Sequence, residues 1–383
     1  MKGTLHCTCC GADFGSRVTF HRCPACAHPL SVSLPASIFP LDKIAARSPN
    51  MWRYAEALPT FSEQVSLGEP LTPLVPFKLG ELEILAKCEF TCPTGSYKDR
   101  GAALLMSYLK ALGIQVAVED SSGNAGASMA AYAARAGIRL KVFCPASASP
   151  GKLVQIQLYG AELVRVEGPR PRATEALLDY VASSGAVYAS HLWNPLFNEG
   201  IKTMAFEIAE QLKWSAPALV FCPVGAGSIL LGLYNGFKEL QNAGIVPQLP
   251  RLIAVQALHT SPVYQACQNN ADRIVPLDAA QPTLAEGIAL PAPVRDREVL
   301  QALRDTGGTA IAVSEEDIIE GIKKFGQAGF CVEPTSAVVW KAIEHLHAQD
   351  AIPAGSKIVA VLSGHGLKAA QSLGELLEKP LGA

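Results

Sequence analysis

Short apolar segments alternate with longer amphipathic segments along most of the chain. The pattern predicts strands at residues 116–118, 140–144, 218–222 and 357–362, and helices that end near Arg135 and Leu240. Such alternation is typical of α/β layers with mostly parallel sheets. Loops of Gly, Ser and Asn follow three of the strands, at 121–126, 223–228 and 363–366. Because ligands of these folds bind at the carboxyl ends of the strands, the three loops are candidate binding elements.

Length and charge point to an intracellular protein that binds a small molecule. The 383 residues allow two substantial domains and a small module, and the formal net charge of −2 offers no basic field for nucleic acid or a membrane surface. The uncharged stretch at 214–237 contains prolines and glycines, so we predict a strand, a loop and a buried helix there rather than a membrane span. The first residues lack the pattern of a secretory signal, which favours a cytoplasmic location.

Five of the eleven cysteines lie within the first 26 residues, in two CxxC pairs. Two such turns direct four thiolates to one point, an arrangement suited to tetrahedral Zn²⁺. We therefore predict a structural zinc ribbon whose ligands are Cys7, Cys10, Cys23 and Cys26, with Cys9 as a spare ligand. The alternative is a set of structural cysteines without a metal.

Two of the loops are ambiguous when each is considered alone. Residues Gly225, Ala226, Gly227 and Ser228 lie between an apolar strand and a helix, where backbone N–H groups can bind a phosphate. The segment is neither a Walker A loop nor a dinucleotide fingerprint, and an ordinary strand-to-helix turn is equally compatible with it. In the loop at 121–126, Asn124 could bind a hydroxyl or a carboxylate, or the loop could only allow close helix packing.

Lys98 follows a predicted helix start at Gly95 and Ser96. Most single lysines lie on the surface, and the charged neighbours Asp99 and Arg100 allow that interpretation here. A lysine removed from water in an apolar pocket instead loses its proton and becomes a nucleophile that forms imines.

The order of motifs resembles the fold-type-II pyridoxal-phosphate (PLP) enzymes and, among them, the threonine synthase family. The motifs are PTGSYKDRG, SSGNAG, PVGAGS, VEPTSA and SGHGLK, and they span nearly the whole chain. The resemblance implies two three-layer α/β domains with mostly parallel sheets, in addition to the ribbon. It also implies a PLP-dependent lyase that acts on a small amino acid, and a homodimer.

The resemblance further implies a role for individual residues. Lys98 would hold the cofactor as a Schiff base and act as the base on the substrate Cα proton. The other implied ligands fall into three groups: Asn124 for the ring hydroxyl and Ser363 for the pyridine nitrogen; the backbone of Gly225, Ala226, Gly227 and Ser228 for the phosphate; and the backbone of Ser121, Ser122, Gly123 and Ala125 for the substrate carboxylate.

Several positions depart from the threonine synthase pattern. Leu192 stands where the family commonly has Ser, Phe197 where it has Arg, and residues 283–289 are more similar to serine/threonine dehydratases. Binding of the dianionic substrate O-phosphohomoserine requires charge-assisted donors. His191 and Lys202 could supply them, but a packed core histidine and a solvated helix lysine are equally plausible interpretations.

Three functions therefore remain open. The first is a threonine synthase that converts O-phosphohomoserine and water to threonine and phosphate. The second is an ammonia-lyase or β-eliminase for an unphosphorylated amino acid, such as threonine or serine. The third is a zinc-ribbon interaction protein on an inactive scaffold. The domain division predicted from the sequence is 1–32 for the ribbon, 33–85 with 196–383 for a large PLP-binding domain, and 86–195 for a small mobile domain.

Overall fold

The computed structural model describes residues 3–148, 150–278 and 281–378. The chain forms two compact units. The first consists of Met1–Leu71 and Lys98–Thr203, and the second of Thr72–Tyr97 and Met204–Ala383. The three-part division predicted from the sequence stays a prediction.

The first unit contains a small antiparallel sheet and a parallel sheet. Strands β1 (Thr4–Cys7) and β2 (Leu30–Ser33) pair antiparallel. The parallel sheet has the order β7-β6-β5-β8, and its strands are β5 (Val116–Glu119), β6 (Arg139–Pro145), β7 (Glu162–Val166) and β8 (Val187–Tyr188). The helices are α1 (Leu41–Ala46), α2 (Lys98–Ala111), α3 (Asn124–Ala136), α4 (Pro150–Leu158), α5 (Arg170–Ser184) and α6 (Pro195–Ile201), with a 3-10 helix at Met51–Ala57.

Small residues allow α3 to start directly against the end of β5. A Cβ atom on Gly126 would lie 1.8 Å from the carbonyl oxygen of Ser121, so only glycine fits there. Helix α3 ends at Gly137, which adopts the left-handed conformation with φ 74° that glycine tolerates best. The sequence-based end near Arg135 is therefore correct to one residue.

The segment after the first CxxC pair is bound to the rest of the first unit by buried polar and aromatic contacts. The Tyr108 hydroxyl on α2 accepts a hydrogen bond from the Val18 amide at 2.7 Å and donates to the Val18 carbonyl at 3.0 Å. The ring of His21 lies 5.2 Å from that of Tyr188 and 5.9 Å from that of Trp193. These contacts place the cysteine-rich segment next to β8 and the loop that follows it.

The second unit is built on a six-stranded sheet of order β11-β10-β9-β12-β4-β3, in which only the pair β3 and β4 is antiparallel. Its strands are β3 (Leu74–Leu79), β4 (Leu82–Cys88), β9 (Leu219–Pro223), β10 (Arg251–Ala257), β11 (Thr309–Val313) and β12 (Ile358–Leu362). Its helices are α7 (Thr203–Gln211, whose first residue belongs to the first unit), α8 (Ser228–Asn242), α9 (Pro262–Gln268), α10 (Asp296–Asp305), α11 (Glu315–Gln327), α12 (Pro334–Ala348) and α13 (Ala370–Glu378). Short 3-10 helices occupy Glu89–Thr91, Leu258–Thr260, Glu286–Ile288 and Gly366–Ala369.

The central strands of this sheet are apolar and buried along their whole length, as expected for a parallel sheet covered on both faces. One ion pair is also enclosed in this unit. Nζ of Lys87 on β4 lies 2.7 Å from Oε2 of Glu207 on α7, and both side chains are fully buried. The Lys87 ammonium also donates to the Thr72 carbonyl at 2.8 Å, so its charge is compensated by more than one oxygen.

The predicted fold class, an α/β protein with mostly parallel sheets, is confirmed. The uncharged stretch at 214–237 contains β9 and most of α8, as predicted. Within the described parts of the chain, no helix is long and apolar enough to cross a membrane.

Candidate active site

Lys98 is the first residue of α2 and is partly buried. Its Nζ lies 5.8 Å from the centroid of the Phe197 ring, which is fully buried. The two residues that follow Lys98 in the sequence are fully buried. Asp99 accepts a hydrogen bond of 2.6 Å from Ser128, and Arg100 donates one of 3.0 Å to Thr203. Lys98 therefore lies at the start of a firmly anchored helix, against an aromatic ring.

The loop at 121–125 joins β5 to α3. Ser121 is buried, and its Oγ accepts a hydrogen bond from the amide of Gly123 at 3.3 Å. Ser122, Gly123 and Asn124 are partly buried, Ala125 is buried, and Asn124 begins α3. The amide groups at the start of this 13-residue helix can bind an anion such as a carboxylate.

A buried acid and a buried histidine lie beside this loop, and sequence reasoning did not pair them. Oε1 of Glu119, the last residue of β5, lies 2.5 Å from Nδ1 of His191. Burial and the neighbouring Asp120 raise the pKa of Glu119 well above its ordinary value. Burial, followed by the charges of Lys98 and Arg170, lowers the pKa of His191 well below its ordinary value. A cationic His191 is thus disfavoured.

The second cationic donor considered from the sequence, Lys202, is not a solvated helix lysine. Its side chain is fully buried, and its Nζ lies 2.5 Å from Oε2 of Glu199. The interpretation of Lys202 as a solvated helix lysine is therefore wrong. The hydrophobic pattern did not show that Glu199, one helical turn earlier, compensates the charge of the Lys202 ammonium.

In the second unit, the glycine loop at 225–228 connects β9 to the 15-residue helix α8. Gly227 has φ 89°, and a Cβ atom there would lie 2.4 Å from Cγ2 of Val299. A Cβ atom on Gly225 would lie 2.9 Å from the Cα of Ile288. Ser228 is buried, and its hydroxyl is 2.9 Å from that of Tyr97, the residue before Lys98 in the sequence.

Ser363 follows β12 and is also buried. Its hydroxyl donates to Oε1 of Glu333 at 3.2 Å and lies 3.0 Å from the hydroxyl of Ser336. The Tyr97 amide donates to the Ser363 carbonyl at 3.1 Å. Sequence reasoning identified the motif that contains Glu333 and Ser336 but assigned them no role. The structure brings both to Ser363, so its hydroxyl is linked to a carboxylate.

These features fit the cofactor that the motifs predict. The glycine loop lies at the start of a buried helix and leaves a space that larger residues would fill with their side chains. Such a loop suits a phosphate. A buried hydroxyl at the end of the neighbouring strand suits a ring nitrogen, and a partly buried lysine beside an aromatic ring suits a carbonyl carbon. The predicted ligands are divided between the two units: Lys98, Asn124 and the 121–125 loop belong to the first, and the glycine loop and Ser363 to the second.

The four predicted cysteines meet at one point. Sγ of Cys7 lies 3.4 Å from that of Cys26, and Sγ of Cys10 lies 3.7 Å from that of Cys23. Tetrahedral zinc with bonds of about 2.3 Å separates its sulfur ligands by about 3.8 Å. Although burial opposes it, backbone N–H groups of Cys10 and Cys9 lower the pKa of Cys7 to about 6, which favours a thiolate. Cys9 is exposed and forms a second possible ligand group with Cys26 and His28.

The folds of the two units are those of an α/β enzyme that uses pyridoxal phosphate. The family model described as "Pyridoxal-phosphate dependent enzyme" matches residues 65–364. The chain belongs to this family, and the prediction of a PLP-dependent lyase is confirmed.

The curated proteins that are similar to this chain include several threonine synthases. A threonine synthase of Methanocaldococcus jannaschii is 35% identical and aligns over 89% of this chain and 86% of its own length. One from Methanosarcina acetivorans is 32% identical over 98% of this chain and 95% of its own length. Among solved structures, a threonine deaminase from T.th. has a TM-score of 0.67 and 25% identity, and covers 85% of this chain and 97% of its own. The L-serine ammonia-lyase of Rhizomucor miehei has a TM-score of 0.72 and 19% identity, and it covers 83% of this chain and 99% of its own. At this identity, the similarity supports the fold alone.

Proposed function

We propose that the protein is a threonine synthase, which converts O-phosphohomoserine and water to threonine and phosphate. The observation that carries this proposal is the similarity to threonine synthases over 98% of the chain at 32% identity, which extends into the cysteine-rich segment. The glycine loop, Lys98 and the 121–125 loop supply the chemistry that such a reaction requires.

When it is bound, pyridoxal phosphate serves as an electron sink that makes the substrate Cα proton acidic. In the proposed assignment, Lys98 holds the cofactor carbonyl and moves the Cα proton, and Asn124 binds the ring hydroxyl. Amide groups of residues 225–228 bind the phosphate, and the amides of 121–125 bind the substrate carboxylate. Ser363 binds the ring nitrogen, and Glu333 accepts the hydrogen bond of the Ser363 hydroxyl at 3.2 Å.

A steady-state assay with O-phosphohomoserine tests the function directly. The purified protein, loaded with pyridoxal phosphate, should release threonine and phosphate in equal amounts. Lys98→Ala should abolish the reaction and the visible absorbance band of the lysine-bound cofactor, while Lys324→Ala, at an exposed lysine on α11, serves as a control. Absence of threonine and phosphate with the wild-type protein would refute the proposal.

A second candidate is an ammonia-lyase for an unphosphorylated amino acid. It is favoured by the fully buried Phe197 ring, 5.8 Å from Nζ of Lys98, at the position where the family commonly has Arg. An aromatic ring beside the reactive lysine suits an uncharged side chain better than a phosphate. Incubation with threonine and with serine should then yield 2-oxo acids, and the absence of oxo acids would exclude this candidate.

We also propose that Cys7, Cys10, Cys23 and Cys26 bind one structural zinc ion. The support is the sulfur cluster, with Sγ separations of 3.4 Å and 3.7 Å, and the lowered pKa of Cys7. With four protein ligands, the ion would have no open position for catalysis. Metal analysis of the purified protein should give one zinc per chain. The homodimer and the cytoplasmic location stay predictions from the sequence.

A further inference from the structure

Two strands of the first unit place Glu119 and His191 at one edge of the parallel sheet. Glu119 ends β5, and His191 lies three residues after the end of β8, which pairs in parallel with β5. In such folds, reactive groups gather at the carboxyl ends of the strands. The 121–125 loop starts two residues after Glu119, so the pair lies beside the proposed binding site for the substrate carboxylate.

The pair is also close to Lys98. The rings of His191 and Phe197 have centroids 6.1 Å apart, and Nζ of Lys98 lies 5.8 Å from the Phe197 centroid. His191 and Lys98 therefore contact the same aromatic ring. Because the proposed reaction begins at Lys98, a substrate bound there would bring its side chain within reach of groups around Phe197.

The hydrogen bond orients the imidazole. Nδ1 of His191 is occupied by Glu119 at 2.5 Å, and among the described residues Nε2 has no hydrogen-bond partner. A buried carboxyl group that is hydrogen-bonded to one ring nitrogen orients the imidazole and leaves the other nitrogen for proton transfer. The surrounding charges are Lys98, Arg170 and Asp120. Burial, which has the largest influence, and Asp120 favour the neutral carboxyl form of Glu119, and the two cations oppose them.

We propose that His191, oriented by Glu119, is the acid–base residue for the leaving group of this enzyme. In the resting pair, the neutral Glu119 carboxyl donates to Nδ1, and Nε2 carries the proton of the neutral imidazole. As the C–O bond of the substrate breaks, its electron pair leaves with the phosphate oxygen, which receives the proton of Nε2 while the Glu119 proton moves to Nδ1. When water then forms its new C–O bond, one of its protons returns to Nε2 and the Nδ1 proton returns to Glu119, which restores the starting state. This inference rests on the proposed function, because it requires a leaving oxygen and an attacking water. Glu119 is a positioning residue.

A metal site is the competing interpretation. Atoms of Glu119, Asp120 and His191 lie within 4.8 Å of one another, and Oε2 of Glu119 and Oδ1 of Asp120 are buried with no hydrogen-bond partner in the part of the chain that the structure describes. However, Oε1 and Nδ1 are separated by 2.5 Å, which is the distance of a shared proton. Two ligands of one metal ion, each about 2.1 Å from it, would be about 3 Å apart.

The test compares substrates that differ only in the leaving group, in wild type, His191→Asn and, as an exposed control, His345→Asn. With O-phosphohomoserine, H191N should lower kcat by about 10²- to 10⁴-fold, the usual contribution of general acid–base catalysis. With L-2-amino-4-chlorobutanoate, chloride leaves without a proton, so chloride release in a single turnover should stay within a few-fold of wild type. Exchange of the Cα proton with D₂O, assigned to Lys98, should also persist. H345N should behave as wild type throughout.

A measurement on the cofactor-free protein tests the hydrogen bond between Glu119 and His191 directly. In ¹⁵N NMR spectra, the neutral His191 should carry its proton on Nε2, in a signal identified by its loss in H191N, and Glu119→Gln should shift the signal of the hydrogen-bonded Nδ1. E119Q should also lower kcat with O-phosphohomoserine by less than H191N does, with little change in KM.

The outcomes separate the two proposals. If the wild type makes no threonine, the proposed function and this inference both fail. If the wild type makes threonine but H191N retains its rate, or loses the phosphate and chloride substrates equally, only the role of His191 is refuted. Detection of a second divalent metal ion per chain, beyond the zinc of the ribbon and lost in E119Q, would refute it in favour of the metal site.

Discussion

Gly227→Ala should weaken cofactor binding because it changes the backbone of the proposed phosphate loop. Gly227 has φ 89°, and an added Cβ would lie 2.4 Å from Cγ2 of Val299, which is fully buried. The left-handed conformation alone costs an L-residue about 1–2 kcal/mol. If the loop relaxes to avoid this strain, the amides leave the positions that bind the phosphate. We expect the dissociation constant of pyridoxal phosphate to rise by at least roughly 5- to 30-fold.

The assay is a titration of the cofactor-free protein, followed by the visible absorbance of the lysine-bound cofactor. Urea unfolding of the same protein shows whether the strain instead destabilises the unbound fold. Gly326→Ala is the matched control, because a Cβ there meets no atom within 4 Å and Gly326 lies in the last turn of α11. Unchanged affinity and unchanged stability in G227A would refute the assignment of this loop.

Three further predictions concern the ribbon and the buried histidine. Cys23→Ser should reduce the zinc content from one per chain to near zero, whereas Cys267→Ser should retain it; equal zinc in both would contradict the assignment. Tyr108→Phe removes the buried partner of the Val18 amide and should lower the free energy of unfolding by about 1–3 kcal/mol, measured by urea titration. The folded-state pKa of His191 is depressed, so the unfolded chain gains its proton first below about pH 6.5. Wild type should therefore lose stability more steeply than H191N as the pH falls from 6.5, and parallel curves would exclude this.

Periodicity was sufficient to predict the parallel strands and the loops that follow them. The strands at 116–118, 140–144, 218–222 and 357–362 all occur, with ends that shift by at most one residue. Such segments are predictable because a buried parallel strand requires a continuous apolar run, and the turn after it requires small residues.

Contacts between distant segments were not predictable in the same way. Glu119 lies 72 residues from His191, and Glu333 lies 30 residues from Ser363. The members of each pair do not lie in one helix or strand, so each pair could be recognised only after folding brought the segments together. A signal was nevertheless present for the first pair. Glu119 and Asp120 lie directly before a small-residue loop, at a position where a buried strand usually ends in apolar residues. Two acids at that position require a partner that compensates their charge.

Because Phe197 stands where the family commonly has Arg, we predict that Arg170 is the cation that binds the phosphate of a phosphorylated substrate. It is exposed at the start of α5, and its charge influences both Glu119 and His191. Among the described residues, no carboxylate pairs with its guanidinium, so it is available for an anion. Since hydrogen bonds to charged groups contribute about 1.5–3 kcal/mol, Arg170→Gln should raise KM for O-phosphohomoserine roughly 10- to 150-fold. The control Arg172→Gln removes a guanidinium two residues later that is paired with Glu175 at 2.8 Å, and it should leave KM unchanged. If both variants keep the wild-type KM, the substrate phosphate does not bind to Arg170, and the ammonia-lyase candidate gains support.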